Sequence, residues 1–206
     1  MMIMANVAII YYSQTGHTYR VAQEVEAGAK AAGAETRLRR VKELAAPEAV
    51  AANPAWKQHL EATSSVPEAT LADLEWADGY VFGSPTRYGA LAAPLKFFLD
   101  GAGKPWSEGK LANKPVAAFT GAMNVHGGQE TTLLTIYNVM YHWGAVVVPP
   151  GYTDPVLYAA GGNPYGVSYQ ATRDVQPPAE VLAAARYMGG RVARFAAVLA
   201  EGRGRL

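Results

Sequence analysis

VAIIYYSQTGHTYRVAQEVEAGAKAAG, residues 7–33, decides how the rest of the chain is read. Val7–Tyr12 is continuous, apolar and rich in β-formers, the pattern of a strand buried on both faces. Thr18–Ala32 puts Val21, Ala22, Val25 and Ala29 on one helical face, and Gly33 follows as a C-cap. The polar loop Ser13–Thr18 joins the two. Strand, short loop and amphipathic helix, in that order, form the repeating unit of a parallel α/β sheet.

The unit recurs downstream. Thr36–Val41 predicts a second strand, whose three arginines place it at a sheet edge. Lys42–Thr70 is rich in Ala, Pro and Ser and reads as an irregular insertion with room for one short helix. Gly79–Phe82 is a strand running into Gly83-Ser84-Pro85, and the helix after it has Pro94 in its first turn and Gly101 past its end. Leu95, Phe98 and Leu99 share one face of that helix. Pro115–Phe119 predicts the fourth strand, and Val146–Val148 the fifth. Between them, Glu130–Trp143 carries Leu133, Ile136, Met140 and Trp143 on one side and stops at Gly144. Pro149–Pro177 has many Gly, Pro and Tyr residues without a period, the signature of a long loop. Pro178 opens a last helix with Leu182, Ala185, Met188, Val192, Phe195 and Leu199 at helical spacing, and Glu201–Leu206 is a frayed tail. The expectation is one α/β domain over residues 1–206, a five-stranded parallel sheet with helices on both faces. Its loop insertions fall at about 42–70, 101–114 and 149–177.

Composition narrows the chemistry. Of 206 residues, half are hydrophobic and 17% are charged, enough for a substantial core. A net charge of +1 points to no nucleic acid or membrane surface held by bulk charge. With no cysteine, disulfides, thiolate metal sites and a thiol nucleophile are excluded, so redox chemistry would fall to a bound cofactor. No two histidines have ligand spacing, and no metal site is expected. No run approaches a membrane span, and Met1–Tyr12 lacks a basic leader, which makes the cytoplasm the expected location.

Ligands of parallel sheets bind beyond the carboxyl ends of the strands, so three loops matter. Ser13-Gln14-Thr15-Gly16-His17-Thr18 brings hydroxyls, a glycine and backbone amides to a helix N-terminus, which suits a phosphate without lysine. It is neither a Walker loop nor a dinucleotide fingerprint. Its form fits a terminal monophosphate such as that of FMN; it also fits a polar cap on an ordinary helix. Gly83-Ser84-Pro85-Thr86-Arg87-Tyr88-Gly89 offers an aromatic face and donors to a flat ring, or is simply a tight turn with a surface arginine. Thr120-Gly121-Ala122-Met123-Asn124-Val125-His126-Gly127-Gly128 offers amides to a pyrimidine edge, or is a mobile loop.

The set of motifs resembles the WrbA family of NAD(P)H:quinone oxidoreductases. The matching segments are YYSQTGH (Tyr11–His17), FGSPTRYG (Phe82–Gly89), LKFFLD (Leu95–Asp100), GGQE (Gly127–Glu130), VVPPGY (Val147–Tyr152), NPYG (Asn163–Gly166) and ARYMG (Ala185–Gly189). The resemblance implies a flavodoxin-like three-layer sandwich of strand order 2-1-3-4-5, with FMN as cofactor and NADH or NADPH as electron donor. It implies two-electron, ping-pong reduction of quinones and a homotetramer whose sites are completed by neighbouring subunits. Ser13, Gln14, Thr15, Gly16, His17 and Thr18 would hold the phosphate. Pro85, Thr86, Arg87 and Tyr88 would line the flavin, and Gly121, Ala122, Met123, Asn124, Val125 and Gly127 would supply the third loop. His142 matches a histidine that reaches the isoalloxazine and would donate a proton, and Trp106 matches a tryptophan bordering the substrate pocket. The third loop departs from the family's Ser/Thr/Gly-rich pattern, and Thr15 stands where an aromatic residue linked to nicotinamide binding is common.

On the residues alone, His142 also reads as a helix-end histidine facing the dipole, and His126 as a solvated loop residue. His59 is assigned no role. Trp106, Tyr152, Tyr158, Tyr165 and Tyr169 suit an interface, a flat substrate, or packing under a loop. The rival readings of the chain are a one-electron carrier, which tends to be strongly acidic, and an oligomeric binding protein without dehydrogenase activity.

Overall fold

A computed structural model describes residues 4–172 and 175–202. The chain runs β1 (Asn6–Tyr11), α1 (His17–Ala31), β2 (Glu35–Arg40), α2 (Pro47–Ala51), α3 (Pro54–Ala62), α4 (Leu71–Trp76), β3 (Gly79–Arg87) and β4 (Ala90–Leu91). It continues through α5 (Ala93–Asp100), α6 (Gly103–Ser107), β5 (Pro115–Ala122), α7 (Gln129–Trp143), β6 (Val146–Val147), α8 (Pro155–Ala159), β7 (Val167–Gln170) and α9 (Ala179–Gly202).

The sheet order is β2-β1-β3-β5-β6, parallel throughout, with β4 folding back on the end of β3. This is the expected 2-1-3-4-5 order. Burial on both faces explains the uninterrupted apolar strands: Val7, Ile9 and Tyr11 of β1 join one core with α1 and α9, and Ala8 and Ile10 join the other with α5 and α7. At the edge, β2 pairs with β1 and, through Arg40 alone, with Glu68, and Asp73 of α4 receives both Arg37 and Arg39 at 3.1 Å. Burial works to raise that carboxyl, but hydrogen bonds from the Thr70 backbone and hydroxyl, with the two arginines, outweigh it and hold it below the usual range.

Three expectations are corrected. The insertion at 42–70 holds two helices, α2 and α3, each opened by a proline in its first turn. The stretch 149–177 is not one long loop, since it contains α8 and β7. Both β6 and β7 pair with the same side of β5, so the fifth lane of the sheet is built from two pieces: Pro115 and Val116 face β6, and Phe119–Ala122 face β7. Four residues flanked by Gly, Pro and Asn are too short to show a strand's period. Finally, Ala185, Met188 and Val192 of α9 are buried as expected, but Val181, Ala184, Gly189, Ala193 and Ala196 complete its inner face, whereas Leu182 and Leu199 are half-buried and Phe195 is exposed. Small residues dominate because α9 meets α1 almost backbone to backbone. A Cβ on Gly28 would lie 1.8 Å from the Arg186 carbonyl oxygen, and one on Gly189 would lie 2.0 Å from that of Val25. The tail at 203–206 lies outside the described residues. No described helix is long and apolar enough to cross a membrane.

Candidate functional site

The carboxyl ends of β1, β3 and β5 open into a cleft of about 560 Å³. Its floor is loop one, residues 13–18. Gly16 takes φ 101° as the N-cap of α1, in the left-handed region that glycine enters freely. The Gly16 N–H donates to Ser13 Oγ at 3.1 Å, which folds the loop on itself. Ser13, His17 and Thr18 are buried, and Thr15 Oγ1 stands 3.2 Å from His17 Nδ1. The other ring nitrogen of His17, Nε2, is buried and has no hydrogen-bond partner among the described residues. An orphaned buried donor or acceptor is costly, so a polar nitrogen at a helix N-terminus beside the cleft points to a ligand that satisfies it.

One wall comes from the end of β3. Thr86 accepts a bond from Thr132 of α7 at 2.7 Å and donates to the Gly127 carbonyl at 3.3 Å, which ties the second loop to the third. Arg87 reaches across to Gln14 Oε1 at 2.6 Å, bridging the first and second loops over the cleft. Tyr88 is left-handed at φ 53° and fully exposed, an unshielded ring at the rim. Pro85 stands opposite Gly121 in the β3–β5 register.

The facing wall is the third loop. Gly121 has a structural reason: a Cβ there would fall 2.3 Å from the Tyr169 ring. Gly128 caps α7 at φ 83°, and a Cβ on it would meet the Gly89 Cα at 2.8 Å. The Asn124 carbonyl accepts from Gln129 Nε2 and from the Gly127 amide. Met123 and Val125 at the tip are each 66% exposed.

Of the expected residues, Ser13, Gln14, Thr15, His17, Thr18, Pro85, Thr86, Arg87, Tyr88, Gly121, Ala122, Met123, Asn124 and Gly127 all line the one cleft. Gly16 shapes its floor from beneath, and Val125 turns into a neighbouring groove. Trp106 and His142 are not brought to the cleft of their own chain. Both are exposed, and Trp106 Nε1 donates to the His142 carbonyl at 2.8 Å. His142 is thirteen residues along α7 from Gln129, about 20 Å away at 1.5 Å per residue. The two lie together at the opposite end of the helix.

Asn53, Ala171 and Thr172 also line the cleft and were not anticipated. Asn53-Pro54 is a legible helix start, and Asn53 Oδ1 does accept from the Trp56 amide. Tyr169, expected at an interface, at a flat substrate or under a loop, lines the cleft too; the sequence does not announce that β7 carries it in to donate to Thr18 Oγ1 at 3.1 Å. Burial pushes the Tyr169 phenol well up, against a hydrogen bond to Thr18 that works to lower it, so it acts as a neutral donor. Among the described residues, no cluster of three or more His, Cys, Asp or Glu side chains could hold a metal ion.

Strand order and a cleft at the carboxyl ends of β1, β3 and β5 define a flavodoxin-like α/β protein. Residues 5–154 match the NADPH-dependent FMN reductase family, and the chain belongs to it. It is 54% identical over 164 residues to an NAD(P)H dehydrogenase (quinone) of Deinococcus radiodurans, covering 80% of this chain and 82% of that one. An NAD(P)H dehydrogenase (quinone) of Methylocella silvestris is 41% identical, with 95% and 99% covered. Among solved structures, a WrbA-like flavodoxin from Agrobacterium tumefaciens superposes with TM-score 0.67 at 25% identity, covering 93% of this chain and 97% of that one.

Proposed function

We propose that this chain is an FMN-dependent NAD(P)H:quinone oxidoreductase, a single flavodoxin-like domain that works in the cytoplasm as a homotetramer. The observation that carries the reading is the continuity of the cleft. A buried, hydroxyl-lined helix N-terminus with an unpartnered His17 nitrogen opens directly into a slot between Arg87–Tyr88 and the glycine-rich third loop. A phosphate at one end and a flat ring at the other fit that shape. The names of its relatives give the donor and the acceptor class.

FMN, when bound, supplies the capacity to accept a hydride and to pass on two electrons. The chain's own residues bind and orient. The amides of loop one, the Ser13, Thr15 and Thr18 hydroxyls and His17 Nε2 would hold the phosphate. Thr86 and the amides of 121–127 would hold the ring edge, and Arg87, braced by Gln14, would close over one side. Fixed donors cost little reorganisation when charge develops on the ring. His142 and Trp106, distant in their own chain and adjacent to each other on its surface, would complete the site of a neighbouring subunit. There the histidine would donate a proton and the indole would border the substrate.

The test is an absorption spectrum of the protein with FMN, followed by anaerobic NADH and then benzoquinone. Bleaching by NADH and recovery with quinone are expected. FMN that binds but stays oxidised under NADH would convert the assignment to an electron carrier, and failure to bind FMN would remove the phosphate-site argument. Size-exclusion chromatography with light scattering checks the tetramer.

A further inference from the structure

The insertion helix α3 lies against the floor of the cleft. Its N-cap, Asn53, lines the cleft, and Trp56 Nε1 donates to Glu43 at 3.0 Å, which fastens the helix to the sheet edge. One turn further, the His59 ring stacks obliquely on Tyr19 of α1, with centroids 5.8 Å apart. Its Nδ1 would stand 3.5 Å from a Cβ placed on Gly16. A second imidazole thus sits against loop one at Gly16, near enough to His17 to feel its charge.

We propose that His59 is a proton-linked positioning residue of the FMN phosphate site, taking up a proton as the phosphate dianion binds at loop one. The inference rests on the FMN reading above. No lysine or arginine occurs in loop one, so the phosphate's charge is met there by amides, hydroxyls and imidazoles. The charged groups around His59 set its rest state. Arg40 of β2 and His17 of α1 face it, Tyr11 and Glu43 line the same small cavity, and Tyr19 lies beneath. Burial, then the charges of His17 and Arg40, lower its proton affinity, and hydrogen bonding with the Ser13 backbone works to raise it. The ring is therefore neutral at neutral pH before ligand arrives. A dianion held by loop one would favour the protonated ring.

The sign follows from linkage. Binding raises the proton affinity of His59, so the His59-dependent part of FMN affinity grows as pH falls through the bound-state value, and levels off below the free-state value. FMN's own phosphate titration is common to every variant and cancels in a ratio.

The experiment titrates FMN and riboflavin into wild-type and His59→Gln protein from pH 8.5 to 6, read by flavin fluorescence. The expected FMN Kd ratio of variant to wild type is within about twofold at pH 8.5 and about five- to tenfold at pH 6. With riboflavin, which lacks the phosphate, the ratio stays within about twofold throughout. A pH-independent FMN ratio, or an equal effect on riboflavin, would overturn the proposal and leave the FMN reading intact, whereas wild-type protein that binds no FMN sinks both. Should the variant fail to fold, NMR titration of the wild-type His59 ring decides: an upward move in its midpoint on adding FMN supports the proposal, and an unchanged midpoint refutes it.

Discussion

Loops 13–18 and 120–128 leave buried parallel strands and enter helices by the same device, a left-handed glycine N-cap, Gly16 at φ 101° and Gly128 at φ 83°, neither with a side-chain cap. Their surroundings differ. The first is packed under α3 and tied through Thr18 to Tyr169, with Ser13, His17 and Thr18 all buried. The third is anchored at its ends by Gln129 and Gly127, while its tip, Met123 and Val125, stands in solvent. Local backbone chemistry makes both loops into donors of amide groups, and burial decides which of them is rigid. A phosphate, the same in every turnover, suits the rigid loop. A ring edge with alternating substrates above it suits the adaptable one.

The largest effect is expected on the helix that loop one opens, at its far end. Gly28→Ala forces α1 away from α9, where the Arg186 carbonyl oxygen leaves no room for a methyl. The unfolding free energy should fall by about 3 kcal/mol in a urea titration. His17→Ala should weaken FMN binding about 10- to 30-fold, the loss of one charge-assisted hydrogen bond, against under about twofold for His126→Ala. Fluorescence titration separates the two, and equal effects would erase the distinction between the loops. Gly127→Ala places a methyl 2.4 Å from the Ala122 Cβ, but the loop edge can yield, so the cost should be about 1 kcal/mol by the same urea assay. Met123→Ala, at the tip, should change stability by less than about 0.5 kcal/mol, with any effect confined to the KM for NADH or quinone.

What the sequence disclosed follows the same line. Residues 7–33 and their downstream echoes disclosed the alternation of strands and helices, because strands buried on both faces leave an unbroken apolar run and the helices between them leave a 3.6-residue period, whereas the order of the strands across the sheet came from the family resemblance. The lining of the cleft was legible because each of its loops sits directly at the end of such a strand. Tyr169 was not, because β7 is four residues long and reaches β5 only after the excursion through α8. The face of α9 was legible at Ala185, Met188 and Val192 and misplaced at Leu182, Phe195 and Leu199, because hydrophobic size marks ordinary cores, while this contact selects smallness at Gly28 and Gly189. The position of His142, at the far end of α7, is a matter of helix length, which a motif match ignores.

The hydrogen bond from Tyr169 to Thr18 joins residues 151 positions apart. Synthesis delivers loop one well before its partner, so the nascent chain can hold four lanes of the sheet while its cleft still lacks a wall. A chain arrested shortly after α7 would carry all three cleft loops and four of the seven matching segments, and no finished site. Competence to bind is in this sense acquired only once β7 has been made, and it would report whether synthesis had passed that strand.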